Sequence, residues 1–139
     1  MKVRCISNTG VDLPERYLDE MAGYTAATVF EIKKTIEYVV YALAVRRSGV
    51  WYYVVDNSGV GYPIWHPAPL FELVDTRVSR YWRLGFVQEG PLEESSIFAF
   101  TEWADSPLEF YDRLSDGDAE AVAHFSRAKG LIDAEAEKT

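Results

Sequence analysis

The fold is decided by residues 35–55, which read TIEYVVYALAV, RRSG and VWYYVV in succession. The first run (residues 35–45) and the last (residues 50–55) are rich in β-branched and aromatic residues, which favour pleated, half-buried strands. Between them, residues 46–49 have the polar, Gly-bearing composition of a tight turn. We therefore predict an antiparallel hairpin in the middle of the chain.

The same reasoning predicts further short strands before and after this hairpin. MKVRCIS at the start of the chain alternates in the manner of a strand and is followed by the turn residues Asn8-Thr9-Gly10. Pro63 places a strand at an edge or a corner. The additional strands are predicted at residues 62–65, 70–74, 78–87 and 96–100, with a turn at 56–59 and loops at 11–30 and 88–95. Such closely connected strands form a strongly curved antiparallel sheet or an SH3-like β-barrel.

From residue 101 the apolar residues recur at helical spacing. Ser106 and Pro107 are typical of a helix start, with Ser106 as the N-cap and Glu109 reaching back to the cap amide. A second helix is predicted with Ser115 or Asp116 as its cap. Gly130 is expected to end it early, and its apolar stripe comprises Val122, Phe125, Ala128 and Ile132.

The predicted fold class is therefore α+β, with two short C-terminal helices packed on the β-rich body. We expect a single domain over residues 1–139, because this length suits one hydrophobic core. The body covers about residues 1–100, the helical segment about 101–132, and a frayed tail 133–139. Hydrophobic residues make up 48% of the chain and aromatic residues 14%, which argues against a disordered protein.

The single cysteine and the N-terminal residues indicate the cellular compartment of the protein. Cys5 is the only cysteine, which excludes an internal disulfide and a zinc site built from cysteines. The N-terminal residues lack the apolar run of a signal peptide, and no stretch has the length of a membrane span. We expect a cytoplasmic protein without a membrane partner.

Charge is distributed unevenly along the chain. The net charge is −8, yet residues 1–88 hold ten Lys/Arg against nine Asp/Glu, whereas residues 89–139 hold four against thirteen. Nucleic acid is not expected as a partner, because phosphate binding requires clustered Lys and Arg. The acidic C-terminal third is either a solvated surface or a surface that attracts a basic partner.

The sequence contains no recognisable catalytic or metal-binding pattern. His66 and His124 lack the spacing of a metal site, and His66 is more typical of a packed, hydrogen-bonded residue than of a general base. Asp116 and Asp118 resemble a calcium loop only superficially, since the required ligand positions are not filled. We expect no catalytic residue, metal or cofactor, and the protein is predicted not to be an enzyme.

Two groups of residues are candidates for contact with a partner. Aromatic and cationic residues fall in neighbouring predicted strands, where strand alternation places only about half of the side chains inward. They are either core residues or a binding face, because exposed Trp, Tyr and Arg often dominate protein interfaces. The second group is acidic and C-terminal. The candidates are Trp51, Tyr52, Trp65, Arg80, Trp82, Asp112, Asp116, Asp118 and Glu120.

Several of these stretches resemble a known group of proteins. The pattern is WYY at residues 51–53, YPIW at 62–65, PLFE at 69–72 and SRYW at 79–82, and it continues to Glu102-Trp103 and Phe110-Tyr111-Asp112. It is similar to a family of small, mostly uncharacterised bacterial cytoplasmic proteins, and to some immunity partners of secreted toxins. The resemblance implies a protein that works by contact and supplies no catalytic residue.

The leading hypothesis is therefore a non-catalytic protein-binding module, most concretely an immunity-type inhibitor of a bacterial toxin. Its partner would be a protein, such as a basic toxin domain, because an acidic inhibitor complements a basic cleft. The alternative is a small regulatory or single-stranded-nucleic-acid-binding SH3-like module that uses Trp51, Trp65 and Arg80.

Overall fold

The computed structural model describes residues 1–90 and 93–138, and these residues form an α+β fold with two antiparallel sheets and three helices. The strands are β1 (Lys2–Cys5), β2 (Glu37–Val39), β3 (Ala42–Arg46), β4 (Gly49–Val54), β5 (Ile64–Pro67), β6 (Phe71–Asp75), β7 (Trp82–Gly90) and β8 (Glu93–Phe100). The helices are α1 (Thr101–Asp105), α2 (Pro107–Ser115) and α3 (Ala119–Glu137). Short 3₁₀ turns lie at Gly10–Asp12, Glu15–Tyr17 and Ala68–Leu70.

The central hairpin is confirmed. Strands β3 and β4 pair antiparallel, with Val45 opposite Val50 and Arg46 opposite Gly49. Gly49 has a φ of +136°, and a Cβ built there would lie 2.1 Å from the Tyr17 hydroxyl. Glycine is therefore required at the end of this turn, both for its backbone conformation and for the close approach of Tyr17.

The β-rich run of residues 35–45 forms two strands. The run is divided between β2, which pairs with β1, and β3, which pairs with β4. The chain passes from one sheet to the other at Val40 and Tyr41, whose amides donate to the carbonyls of Met1 and Tyr53. Residues 38–45 (YVVYALAV) are all apolar or aromatic, so no charged or turn-forming residue marks the crossing.

The two sheets have the strand orders β2-β1-β6 and β5-β4-β3-β8-β7. The antiparallel arrangement is present, but neither sheet closes on itself in residues 1–90 and 93–138, so an SH3-like barrel is not confirmed. The predicted strand at 62–65 corresponds to β5, that at 70–74 to β6, that at 78–87 to β7, and that at 96–100 to β8. The loop predicted at 88–95 is shorter than expected, because β7 and β8 extend into it, and residues 91 and 92 lie outside the described part.

Strand β4 is buried on both faces. On one face, Tyr53 packs against Trp103 of α1 with 4.8 Å between ring centroids. On the other face, Tyr52 packs against Phe71 of the small sheet, with centroids 5.8 Å apart. A strand covered on both sides needs apolar residues at every position, which explains the continuous run VWYYV.

The helical segment differs from its prediction in number and length. There are three helices rather than two short ones, and α3 extends for 19 residues through Gly130 to Glu137. The frayed tail predicted at 133–139 is therefore wrong for residues 133–137, and Thr139 lies outside the described residues. Gly130 lies within this helix and does not end it. It is exposed, and a Cβ built there would have no atom within 4 Å.

The caps also differ from the predicted ones. Ser106 is the N-cap residue of α2, but its side chain makes no capping bond, and its amide donates to the Trp103 carbonyl of α1 instead of to Glu109. Asp118, rather than Ser115 or Asp116, caps α3 by accepting a hydrogen bond from the Ala121 amide at 3.0 Å.

The buried side of α3 also differs in part from the predicted stripe. Phe125, Ala128 and Ile132 are buried as predicted, whereas Val122 is exposed and Ala121 is buried in its place.

Candidate functional site

Three of the predicted partner-contacting aromatic residues lie in the core. The exposed fractions are 3% for Trp51, 8% for Tyr52 and 9% for Trp82, so these side chains offer a partner almost no surface. The indole N–H of Trp51 donates to the Ser48 hydroxyl at 2.9 Å, and that of Trp82 donates to the Tyr41 carbonyl at 3.1 Å. Buried indoles with satisfied N–H groups are typical of structural residues.

The remaining two residues of this group lie in different places. Trp65 is half-buried in β5, and its N–H donates to the Tyr24 hydroxyl at 2.8 Å. The Arg80 side chain is 73% exposed, stacks over Tyr81, and its backbone N–H donates to Glu135 of α3 at 3.0 Å. Arg80 therefore contacts Tyr81 and α3, whereas the indoles of Trp51 and Trp65 are bonded to Ser48 and Tyr24.

A groove crosses the face of the large sheet that carries Trp51 and Trp65. Helices α1 and α2 cover one end of this face, and residues 15–24 cover the other. Between them lie a smaller cavity of about 210 Å³ and a larger one of about 1060 Å³. Arg46, Ser95 and Ser96 line both cavities, and we call the two cavities together the Arg46 groove.

Arg46 occupies the centre of this groove. Its guanidinium carbon lies 5.4 Å from the Trp51 ring centroid and 5.8 Å from that of Trp65, so it is held by two cation–π contacts. Its Nη2 donates a long hydrogen bond of 3.4 Å to the Tyr53 hydroxyl. Among residues 1–88 and 95–138, whose side chains the structure describes, Arg46 forms no ion pair with a carboxylate. Sequence reasoning missed this residue because RRSG was interpreted only as a turn.

Within the C-terminal third, the excess of acidic residues is concentrated in residues 101–120. Residues 101–120 contain seven Asp/Glu and a single Arg, whereas residues 121–139 contain three acidic and three basic residues. We call the seven carboxylates of α1, α2 and the start of α3 the acidic surface. Its members are Glu102, Asp105, Glu109, Asp112, Asp116, Asp118 and Glu120.

Hydrogen bonds and ion pairs connect the three helices across this surface. Arg113 Nη2 lies 2.8 Å from Asp118 and 3.6 Å from Glu120. His124 lies 3.5 Å from Glu102 and 3.7 Å from Glu120. The Ala121 amide and the Arg113 guanidinium lower the pKa of Asp118, so this carboxylate is ionised across the physiological range.

The four predicted acidic residues are therefore neighbours, although they differ in role. Asp112, Asp116 and Glu120 are exposed, and Asp118 is partly occupied with capping α3. Asp112 also lines the smaller cavity of the Arg46 groove, beside Leu108 and Tyr111. The acidic surface thus adjoins one end of the groove.

His66 forms a buried pair with Asp56. Its Nε2 lies 2.8 Å from Asp56 Oδ2, and the two side chains are only 4% and 2% exposed. The rings of Phe30 and Phe71 contact the imidazole, whose Nδ1 has no hydrogen-bond partner among the described residues. Burial lowers the pKa of His66, and the neighbouring Asp56 opposes this shift. The prediction of a packed, hydrogen-bonded histidine is confirmed.

Neither a metal site nor a membrane-crossing helix is found in the described residues. In residues 1–90 and 93–138, no three His, Cys, Asp or Glu side chains are grouped so as to hold a metal ion. Across the same residues, no helix has the length and apolar character that crossing a membrane requires. Comparison with protein-family models, with curated proteins and with solved structures gives no match. Function has to be inferred from the acidic surface and the Arg46 groove themselves.

Proposed function

We propose that this chain is a non-catalytic protein-binding module of the bacterial cytoplasm, and most concretely an immunity-type inhibitor of a toxin. The observation that carries the proposal is the acidic surface, where seven carboxylates from three successive helices face one arginine and one histidine. Such a concentration of one sign of charge attracts a basic partner and raises its rate of association.

The charges are presented by a fixed scaffold. Trp103, Phe110 and Leu114 are almost fully buried, so α1 and α2 are anchored on the large sheet. The Tyr111 hydroxyl donates to the Pro63 carbonyl at 2.6 Å, which ties α2 to the segment before β5. Carboxylates on anchored helices lose less conformational entropy on binding than those on a flexible tail.

The ion pairs within the acidic surface leave most of its charge uncompensated. Arg113 is shared between Asp118 and Glu120, and His124 is shared between Glu102 and Glu120. Asp105, Glu109, Asp112 and Asp116 are all exposed. A toxin domain with a basic active-site cleft has the complementary charge, and covering that cleft inhibits it without any chemistry by the inhibitor.

The proposal is tested by capture of partners from a bacterial lysate. The acid-neutralised variant carries Asp112→Asn, Asp116→Asn, Asp118→Asn and Glu120→Gln, and the substitution at position 118 preserves the cap of α3 because asparagine is also a good N-cap residue. A matched control removes four exposed charges elsewhere, through Glu15→Gln, Glu20→Gln, Glu31→Gln and Glu137→Gln. Captured proteins are identified by mass spectrometry at low and at high salt.

We expect the parent and the control to retain the same basic protein in stoichiometric amount at low salt. The acid-neutralised variant is expected to lose it, and high salt should release it from the parent. Equal retention by all three proteins would show that the acidic surface does not contact the partner. Absence of a basic partner from the parent would contradict the proposal itself.

A further inference from the structure

We propose that the Arg46 groove is a binding site for a small organic oxyanion, a carboxylate or a phosphate, which pairs with the Arg46 guanidinium. The acidic surface adjoins this groove at Asp112. The two sites are tested separately through Arg46, which lies outside the acidic surface.

Arg46 has few partners for a half-buried cation. A guanidinium has five N–H donors in a planar fork, and Arg46 uses one long bond to the Tyr53 hydroxyl. It is only partly exposed, and it forms no ion pair with the side chains of residues 1–88 and 95–138. An incoming oxyanion would supply both the charge and the missing acceptors, with bidentate geometry.

The Arg46 side chain is also preorganised for a ligand. Trp51 and Trp65 hold the guanidinium between them, and both indoles are themselves fixed by hydrogen bonds to Ser48 and Tyr24. An arginine that is already immobilised loses little side-chain entropy when a ligand binds. This is the arrangement of a recognition group rather than of a solvated surface arginine, which would be free to move.

The larger cavity carries cationic side chains on a protein whose net charge is −8. Arg16 and Arg46 are among its lining residues, together with Asp19. The larger cavity, of about 1060 Å³, has room for a small metabolite.

The position of the acidic surface favours a small ligand over a nucleic acid. Asp112 lines the end of the groove beside α2, and the other carboxylates continue outward from there. A polynucleotide that leaves the groove in this direction would bring its phosphates against like charge. A single oxyanion at Arg46 avoids this repulsion.

The test is a titration followed by the indole N–H signals in ¹H–¹⁵N NMR spectra. The probes are citrate and inorganic phosphate, each compared with sodium chloride at equal ionic strength. We expect saturable shifts of the Trp51 and Trp65 signals with at least one probe, because both indoles contact Arg46. The Trp82 signal, whose N–H is bonded to Tyr41 outside the groove, should not move.

Arg46→Met retains an unbranched apolar side chain between the two indoles and removes the charge. It is expected to weaken binding about tenfold or more, the loss typical of a charge-assisted pair. Arg127→Met on the exposed surface of α3 is the matched control and should bind as the parent does. If Arg46→Met does not fold, Arg46→Lys replaces it, with weakened binding expected because lysine lacks the bidentate fork.

Three results would overturn the proposal. The first is the absence of saturable shifts with both citrate and phosphate. The second is unchanged binding by the Arg46 variant. The third is a single-stranded thymidine oligomer that binds the groove more tightly than either anion, since this would identify a nucleic-acid site instead.

Discussion

At Gly85 in β7 the large sheet comes so close to α1 that a side chain has no room. A Cβ at this position would lie 2.2 Å from the Ala104 carbonyl oxygen, which belongs to a backbone that cannot move without displacing the helix. We expect Gly85→Ala to lower the free energy of unfolding by about 1–3 kcal/mol, the range for overpacked sites. Urea unfolding measures this value.

Gly130 provides the matched control for this substitution. It lies in α3, and a Cβ added there would have no atom within 4 Å, so alanine fits without strain. Gly130→Ala should raise the free energy of unfolding by about 0.5–1 kcal/mol through helix propensity. Equal stability of Gly85→Ala and the parent would show that α1 does not approach β7 this closely.

The buried His66–Asp56 pair predicts a pH dependence of stability. Burial holds the pKa of folded His66 below its ordinary value of 6.5, while Asp56 and Glu31 partly offset this shift. In the unfolded chain the histidine takes up a proton as the pH falls below 6.5, and the folded protein resists doing so. The free energy of unfolding should therefore keep its full value above pH 6.5 and decrease as the pH falls below 6.5.

Chemical denaturation at a series of pH values tests this account. His66→Gln, whose amide can still donate to Asp56, should lose the part of the pH dependence that belongs to His66. His124→Gln, which changes a more exposed histidine, should retain it. A parent protein whose stability does not change between neutral and mildly acidic pH would contradict the assignment.

Among the helices and strands, the N-cap of α3 is a different residue from the one predicted from the sequence. Asp118 accepts a hydrogen bond from the Ala121 amide, whereas the two predicted caps, Ser115 and Asp116, lie at the end of α2 and in the turn after it. We expect Asp118→Ala to destabilise the protein by about 1 kcal/mol and Asp118→Asn to cost much less. Asp116→Ala should be nearly neutral in thermal unfolding, and the reverse order of effects would show that Asp116 is the cap.

The elements differ in how far the local sequence encodes them. The β3–β4 hairpin is encoded locally, since RRSG separates two β-rich runs and Gly49 adopts the conformation that glycine favours. The crossing at Val40–Tyr41 depends on which sheet each half pairs with, and this is not a local property. Helix α3 continues through Gly130 because apolar contacts of Phe125, Ala128 and Ile132 outweigh its low helix propensity.

For the molecule as a whole, the sequence predicted the acidic character of the C-terminal third but not the burial of the aromatic residues. Charge runs stay on the surface, so Asp112, Asp116 and Glu120 are exposed as their pattern indicates. The aromatic residues of β4 would have been half-exposed on a single sheet. They are buried because the small sheet covers one face, and helices and residues 15–24 cover the other.

The Arg46 groove could not be predicted from the sequence for a related reason. It exists where the helices and the N-terminal segment leave a gap over the large sheet, and that gap depends on long-range packing. The stacking of Arg46 between Trp51 and Trp65 joins residues of three strands. No spacing along the chain encodes such a contact.

Recognition by the acidic surface is tested by the rate of association with the captured basic protein as a function of ionic strength. We expect the parent and the Glu15/Glu20/Glu31/Glu137 control to associate quickly at low salt and to slow markedly as salt is added. The variant neutralised at Asp112, Asp116, Asp118 and Glu120 should associate about tenfold more slowly at low salt, with a flatter salt dependence. Association of this variant at the parental rate would contradict the claim that the acidic surface recognises the partner.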